Sequence, residues 1–315
     1  VIHKASDIPK IVGESYVNNI SNYLTSVKYE LVAYRGFSLT SPRKFLNVTW
    51  EDVIKALYKS SNFGDKLEDQ RYYKDDIQPL IANSKTPIEK MNAIFNFVKN
   101  KVEWNGESRL YASDKLKNIY KNGKGNSADI NLMLTSMLQY ANLDAKPLIS
   151  STISNGIPFS PTLTGLNYVT ARVKIGEDTY LLDATNKYTK PNMLPRRALN
   201  WNGIIASEAG VYKDINLMPT SLSKINTTVS ANFTSEGIIN GKVRQVFDNY
   251  FGLNYRSSVT DTSIESQIES IEESNEFVKV SNLSNTNLED ISKPVMRSYD
   301  FKIESGFVDA IGDKL

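Results

Sequence analysis

A stretch of apolar residues near the middle of the chain constrains the fold more than any other feature. Ile130, Met133, Leu134, Met137, Leu138 and Ala141 recur at steps of three and four and mark one wide apolar stripe of a helix. A stripe that wide has to be covered, so this helix is expected to be central and buried. Gly125, Asn126 and Ser127 stand directly before it, and Ser127 reads as its N-cap because serine is a preferred cap. After Asn142 the period switches to two. Strands are expected over 145–152, 168–175 and 179–183, the last two joined by a tight turn at Gly176-Glu177-Asp178. A Pro- and Gly-bearing loop over 154–165 precedes the second strand and is expected to be exposed and mobile.

The flanks follow different patterns. Over 15–39 the chain is rich in Tyr, Val and Leu, and Val27, Tyr29 and Leu31 alternate with Lys28, Glu30 and Val32, which predicts one or two strands. From Thr49 to Ala141 the pattern is helical. Thr49 caps a helix with Val53, Ile54, Leu57 and Tyr58 on its apolar side. Thr86-Pro87 opens another, whose face is Ile88, Met91, Ile94, Phe95, Val98 and Val102. A shorter helix is expected over 114–120, ending at Gly123. Beyond residue 221 the chain turns β-rich, with strands over 227–233, 238–247, 278–283 and 299–303 and a turn at Ser235-Glu236-Gly237. Ile264, Ile268 and Ile271 among glutamates predict an exposed amphipathic helix.

Composition then removes whole classes of chemistry. The 315 residues include no Cys and a single His, His3. Thiol catalysis, disulfides and thiolate metal sites all need sulfur and are excluded. His3 has no neighbouring ligand, and neither Asp75-Asp76 nor Glu272-Glu273 reads as more than a solvated face. No metal or organic cofactor is expected. Lys and Arg total 37 against 35 Asp and Glu, a net charge of +2, so there is no electrostatic footprint for nucleic acid. The apolar runs fall far short of the ~20 residues that span a bilayer. The chain opens at Val1 without a signal h-region and stops after Gly312-Asp313-Lys314-Leu315, which reads as a mature piece or fragment of something longer.

One constellation carries functional meaning. A nucleophile at a helix N-terminus is favoured by the positive end of the dipole, a base on a facing strand can reach it, and a carboxylate on the next strand can orient that base. The three positions here are Ser127, Tyr168 and Asp183. Around them run Trp104-Asn105-Gly106, Gly125-Asn126-Ser127-Ala128-Asp129-Ile130-Asn131-Leu132, Asn142-Leu143-Asp144-Ala145-Lys146-Pro147, Ser151-Thr152, Asn167-Tyr168-Val169, Leu181-Leu182-Asp183-Ala184-Thr185 and Leu194-Pro195-Arg196-Arg197. With Tyr16-Val17-Asn18 and Thr49-Trp50-Glu51 these motifs resemble bacterial transglutaminase-like proteins, over about residues 10 to 250. The branch in question carries a papain-like Cys-His-Asp core between N- and C-terminal β domains.

The resemblance implies an α+β fold, a core of helices packed on an antiparallel sheet with β-rich flanks. Residues 1–45 would be the remnant of an N-terminal β-sandwich, 46–215 the core, and 220–315 a truncated C-terminal β domain. It also exposes a departure. Ser127 stands where the family has Cys and Tyr168 where it has His; Asp183 alone keeps its type. A hydroxyl needs a base to become a nucleophile, and tyrosine, with an ordinary pKa near ~10, is a poor one. The degenerate triad is therefore read as inactive, with no catalytic residue expected; residual amide chemistry at Ser127 is the rival reading, and a purely structural subunit of a larger complex is another. Asp183 is expected to hold the old site together through Tyr168 or backbone. Trp104, Asn126, Asn167 and Arg196 are the candidate ligand-binding residues. Asp129 reads as an early-turn acid favoured by the helix dipole. The expected role is a protein- or peptide-binding scaffold, and the resemblance implies a bacterial periplasm or envelope setting.

Overall fold

A computed structural model of the chain describes residues 2, 4–15, 17–27, 29, 31, 33–37, 41–45, 49–235, 237–275 and 277–304. His3, Tyr16, Lys28, Glu30, Val32, Glu236 and residues 312–315, all used above, lie outside the described residues. The fold is α+β, and the chain divides into two compact units, Val1–Pro219 and Thr220–Leu315. No helix among the described residues is long and apolar enough to cross a membrane.

The first unit begins with a 3-10 turn, Ile20–Asn22, and an antiparallel ribbon of β1 (Ala33–Arg35) and β2 (Arg43–Phe45). β1 lies within the 15–39 stretch where one or two strands are expected, while Val27, Tyr29 and Leu31 are exposed and belong to no strand.

Helices follow. In α1 (Trp50–Tyr58) Thr49 and Asp52 form a reciprocal capping box, and Val53, Ile54 and Leu57 are buried. Two short helices that the pattern does not resolve come next, α2 (Asp65–Glu68) and α3 (Lys74–Asn83). Each buries a single apolar residue, Leu67 and Ile77, too few to print a stripe. Then α4 (Pro87–Lys101) starts on Thr86 with Pro87 at its first position. Met91, Ile94, Phe95 and Val98 are buried, but Ile88 is exposed, because the first turn projects past the core.

Next come β3 (Glu103–Trp104), α5 (Leu116–Asn122) and β4 (Lys124–Gly125), with β3 and β4 paired in parallel. Gly123 closes α5 at φ +71°, a left-handed cap that glycine adopts without a Cβ clash. The central helix α6 (Ser127–Tyr140) is buried on all sides from Ser127 to Leu138. Its N-cap is Asn126, not Ser127. The Asn126 side chain accepts from the Asp129 N–H at 2.8 Å, and the Asp129 carboxylate accepts from the Asn126 N–H at 2.9 Å. Asparagine caps as well as serine, and the acid three positions later decides between them by completing the box.

Five antiparallel strands complete the unit: β5 (Asp144–Ser150), β6 (Tyr168–Ile175), β7 (Asp178–Leu182), β8 (Asn202–Ala206) and β9 (Tyr212–Asn216), in the spatial order β7-β6-β5-β8-β9. Both faces are covered. Ile149, Val169, Ala171, Val173 and Leu182 join the core with α6, while Leu148, Tyr168 and Leu181 pack with Leu194, Ala198, Ile205 and Leu217 on the other face. The 154–165 loop is less exposed than its composition implies. Asn200 donates to the Thr152 and Gly156 carbonyls, Ser151 to Gly156, and Asn155 to Gly165, so the loop is laced at both ends.

In the second unit β10 (Ile225–Phe233) and β11 (Ile239–Phe247) form a hairpin, followed by α7 (Asn249–Val259), α8 (Ile264–Glu273), β12 (Val278–Thr286) and β13 (Val295–Ile303). The sheet order is β10-β11-β13-β12, antiparallel throughout. Phe247 stacks on Tyr255 at 4.5 Å between centroids, and Val259 and Val295 close this small core. The sequence pattern misses α7, whose Asn, Gly, Tyr and Ser residues have weak helix propensity.

Candidate functional site

The N-terminal end of α6 lies under a strap formed by residues 105–113. Every second residue of the strap is bonded to the start of the helix. The Asn105 N–H donates to the Gly125 carbonyl at 2.9 Å, and the Ser127 N–H donates to the Glu107 carbonyl at 3.1 Å. The Ser127 hydroxyl accepts from the Arg109 N–H at 2.8 Å and donates to the Arg109 carbonyl at 3.0 Å. Asn126 donates through Nδ2 to the Tyr111 carbonyl at 3.2 Å. The Asp129 carboxylate accepts from the N–H and hydroxyl of Ser113 at 2.8 and 2.7 Å. Gly125 permits this close approach: a Cβ there would come within 2.9 Å of Asp129 and 2.8 Å of Ile119.

This lacing fixes what Ser127 can do. Its side chain is fully buried, its proton is given to one carbonyl and its lone pair is taken by one amide. Its backbone N–H, the group that would stabilise an oxyanion at a helix start, is used by Glu107. Attack by Oγ would require its proton to leave the Arg109 carbonyl and the buried hydroxyl to be exposed to a substrate. Among the described residues no hydrogen bond joins Ser127 to Tyr168 or Asp183.

The other half of the site is a buried network of side chains at the start of β6 and just past β7. Tyr168 donates its hydroxyl to Asp183 Oδ2 at 2.9 Å and lies 3.2 Å from the Thr185 hydroxyl. Asp183 also accepts from the N–H of Thr185 at 2.9 Å and from its hydroxyl. Arg197 donates through Nε to the Tyr168 oxygen at 3.0 Å and through Nη2 to the Thr185 hydroxyl. Burial first, and the Asp183 charge second, push the Tyr168 phenol well above its ordinary pKa; Arg197 acts in the opposite direction. The phenol is neutral at physiological pH and, with its oxygen already accepting from Arg197, is no general base.

Trp104 joins the two halves. Its indole N–H donates to the same Glu107 carbonyl that holds the Ser127 N–H, at 2.9 Å, and the Arg197 guanidinium lies 3.6 Å from the centre of its ring. Behind the site, Asn131 on α6 donates to the Val169 carbonyl at 2.8 Å and accepts from the Ala184 N–H at 3.0 Å. One asparagine thus ties the helix to both strand ends.

The residues singled out from sequence divide accordingly. Trp104, Tyr168 and Asp183 are connected through Arg197. Asn126 spends both ends of its amide on capping and on the strap, and Asn167 is bonded to Thr152 through both its amide oxygen and its nitrogen, at 2.8 and 2.9 Å. Arg196 is exposed, and its neighbour Arg197 is the arginine of the site. Arg197 and Thr185 stand in the quoted motifs but not among the candidate ligand-binding residues. Thr185 was legible in principle, two positions after Asp183. Asp76 accepts a hydrogen bond from Tyr120, and among the described residues no group of three or more His, Cys, Asp or Glu could hold a metal ion.

Residues 75–179 match the family model of the transglutaminase-like superfamily. The chain carries a transglutaminase-like domain. Ser127 and Tyr168 fall inside the matched region of that domain, and Asp183 lies four residues beyond it. A solved structure described as a "putative protease" from Parabacteroides distasonis aligns with 90% of this chain at 9% identity and a TM-score of 0.40. The chain spans 58% of that protein's length. No curated protein matches the chain in sequence.

Proposed function

We propose that the transglutaminase-like domain is non-catalytic and serves as a protein- or peptide-binding scaffold in a bacterial envelope assembly. The observation that carries the first part is the pair of hydrogen bonds between the Ser127 hydroxyl and the Arg109 backbone, with the Ser127 N–H committed to Glu107. Nucleophile and oxyanion donor are both consumed by the fold's own strap. The neutral, buried Tyr168 adds to this, since it supplies no base.

A binding role is supported by aromatic side chains displayed beside the laced loop. Phe159 is 79% exposed and Trp201 65% exposed, and Trp201 sits at φ +67°, a left-handed conformation rare for a bulky residue. Asn200, its neighbour, anchors the 152–156 segment. Exposed aromatics are enriched at interface cores. The envelope setting rests on the branch that the sequence motifs resemble.

The test is release of ammonia and amine incorporation from glutamine-bearing peptides, measured for wild type and Ser127→Ala. Both are expected to match buffer. Turnover in wild type that disappears in Ser127→Ala would overturn the reading and make Ser127 a working nucleophile.

A further inference from the structure

The two edges of the second sheet are built differently. The β12 edge carries Lys279, a register shift between Ser281 and Ser284 with Asn282 at φ +53°, and the packed helix α8. Charge, bulge and a covering helix are the devices that keep an edge strand from pairing with another chain. Among the described residues the β10 edge has none of them. Its register with β11 runs unbroken from Ile225↔Phe247 to Phe233↔Ile239, its nine residues include no charge and no proline, and every one is exposed. Ile225 and Val229 lie opposite the buried Phe247 and Val243, so the sheet's apolar face continues onto β10 without cover there.

The order of residues in β10 adds a second observation. Ile-Asn-Thr-Thr-Val-Ser-Ala-Asn-Phe reads alike from both ends by side-chain class at every pair but Thr227 and Ala231, with Val229 at the centre. Laid antiparallel on itself about Val229, the strand sets Ile225 beside Phe233, Asn226 beside Asn232, Thr227 beside Ala231 and Thr228 beside Ser230. On one face Ile225 meets Phe233 and Val229 meets itself, with Thr227 against the small Ala231 between them; on the other, amide meets amide and hydroxyl meets hydroxyl, the cross-strand pairings that stabilise sheets.

We propose that β10 pairs with β10 of a second copy of this chain about a two-fold axis through Val229, joining two four-stranded sheets into one of eight strands. The interface is isologous, as most homodimer contacts are. With no charge in the strand, pairing it with itself brings no like charges together. Nine residues extend over ~30 Å. A strip of that length with side chains on both faces buries on the order of 1,000 Å², the low end for specific interfaces, so the dimer is weak and concentration-dependent. The proposal does not depend on whether Ser127 can react.

Sedimentation of the full chain from 1 to several hundred micromolar is expected to show a reversible shift from a 35.4 kDa monomer to a species of twice that mass. Val229→Lys places two ammonium groups against each other on the axis and is expected to abolish the shift. Val229 is 56% exposed, so the variant retains its fold, checked by circular dichroism. Because the chain has no Cys, Val229→Cys gives a unique thiol. Directly paired strand residues have Cα atoms ~4.5–5.5 Å apart, inside the range a disulfide bridges, so mild oxidation is expected to yield a covalent dimer. Ser281→Cys on the opposite edge is expected to stay monomeric. A wild-type monomer at every concentration overturns the proposal, whether or not some foreign strand binds β10. So does a dimer that survives Val229→Lys, or one cross-linked as well through Ser281→Cys.

Discussion

The helix half and the strand half of the site are built in different ways. At the start of α6, Ser127 is held by main-chain groups of the strap: one amide, two carbonyls and no side chain. At the ends of β6 and β7, Tyr168, Asp183, Thr185 and Arg197 are held mostly by each other's side chains. A main-chain cradle accepts any small polar residue of about the right size. A side-chain network works only as a set, because each member satisfies the others and one carries the charge that another balances. The two halves should therefore respond to mutation with different severity.

The largest effect is expected at Asp183. Replacing it by Ala removes the acceptor of Tyr168 and Thr185 and leaves Arg197 in a partly buried network with no carboxylate. Taking one partner from a buried charged network costs ~3–5 kcal/mol, so urea unfolding of Asp183→Ala should show a loss of that order. Asp183→Asn keeps the shape and removes the charge, which separates packing from charge balance. A loss under ~1 kcal/mol, the worth of an ordinary hydrogen bond, would mean that the strand half does not hang on its carboxylate.

Ser127→Ala tests the other side. It leaves the Arg109 N–H and carbonyl without their partner under the strap, an expected cost of ~1–3 kcal/mol. The cost should be smaller than at Asp183, since no charge is stranded. The double variant sharpens the comparison: losses that add indicate independent halves, and a coupling beyond ~0.5 kcal/mol indicates that Trp104 and Arg197 transmit strain between them.

How far sequence reading reaches follows the same division. The α6 stripe and the β6–β7 hairpin are legible because period fixes which residues share a face, and the hairpin turn brings the end of β7 back beside the start of β6. That is why Tyr168 and Asp183 could be placed near each other. The strap is illegible for a physical reason: Glu107, Arg109 and Tyr111 contribute backbone groups, so their side-chain types carry no signal. Arg196 and Arg197 are adjacent and chemically identical, and only the 3-10 turn over Arg196–Ala198 decides which guanidinium enters the site. Asn126 rather than Ser127 as cap was a choice the sequence could have settled, through Asp129.

The last effect concerns pH, is the smallest of the set per pH unit and per group, and has opposite signs at two groups tied to the strand half. Tyr168 has its phenol raised in the folded state, by burial and then by Asp183, whereas in the unfolded chain it ionises near ~10. Above that pH the unfolded state has fewer protons than the folded one, so stability falls, by at most ~1.4 kcal/mol per pH unit for one group. Lys99 is the converse. Buried against Phe95 and donating to the carbonyl of Thr189, whose hydroxyl in turn donates to the Asp183 carbonyl, it is pushed down to about 8. Between there and its unfolded value near ~10.4 the unfolded state binds the extra proton, so stability rises with pH. Urea midpoints measured from pH 7 to 11 should therefore climb above pH 8 and decline above pH 10. Lys99→Met should flatten the climb, and Tyr168→Phe should make the decline shallower by the share of one proton. Tyr58, Tyr72, Tyr73 and Tyr120 are also raised by burial and keep part of the decline in place. A decline unchanged by Tyr168→Phe would mean that the phenol opens to solvent before the fold does, and the strand half would then be the looser of the two.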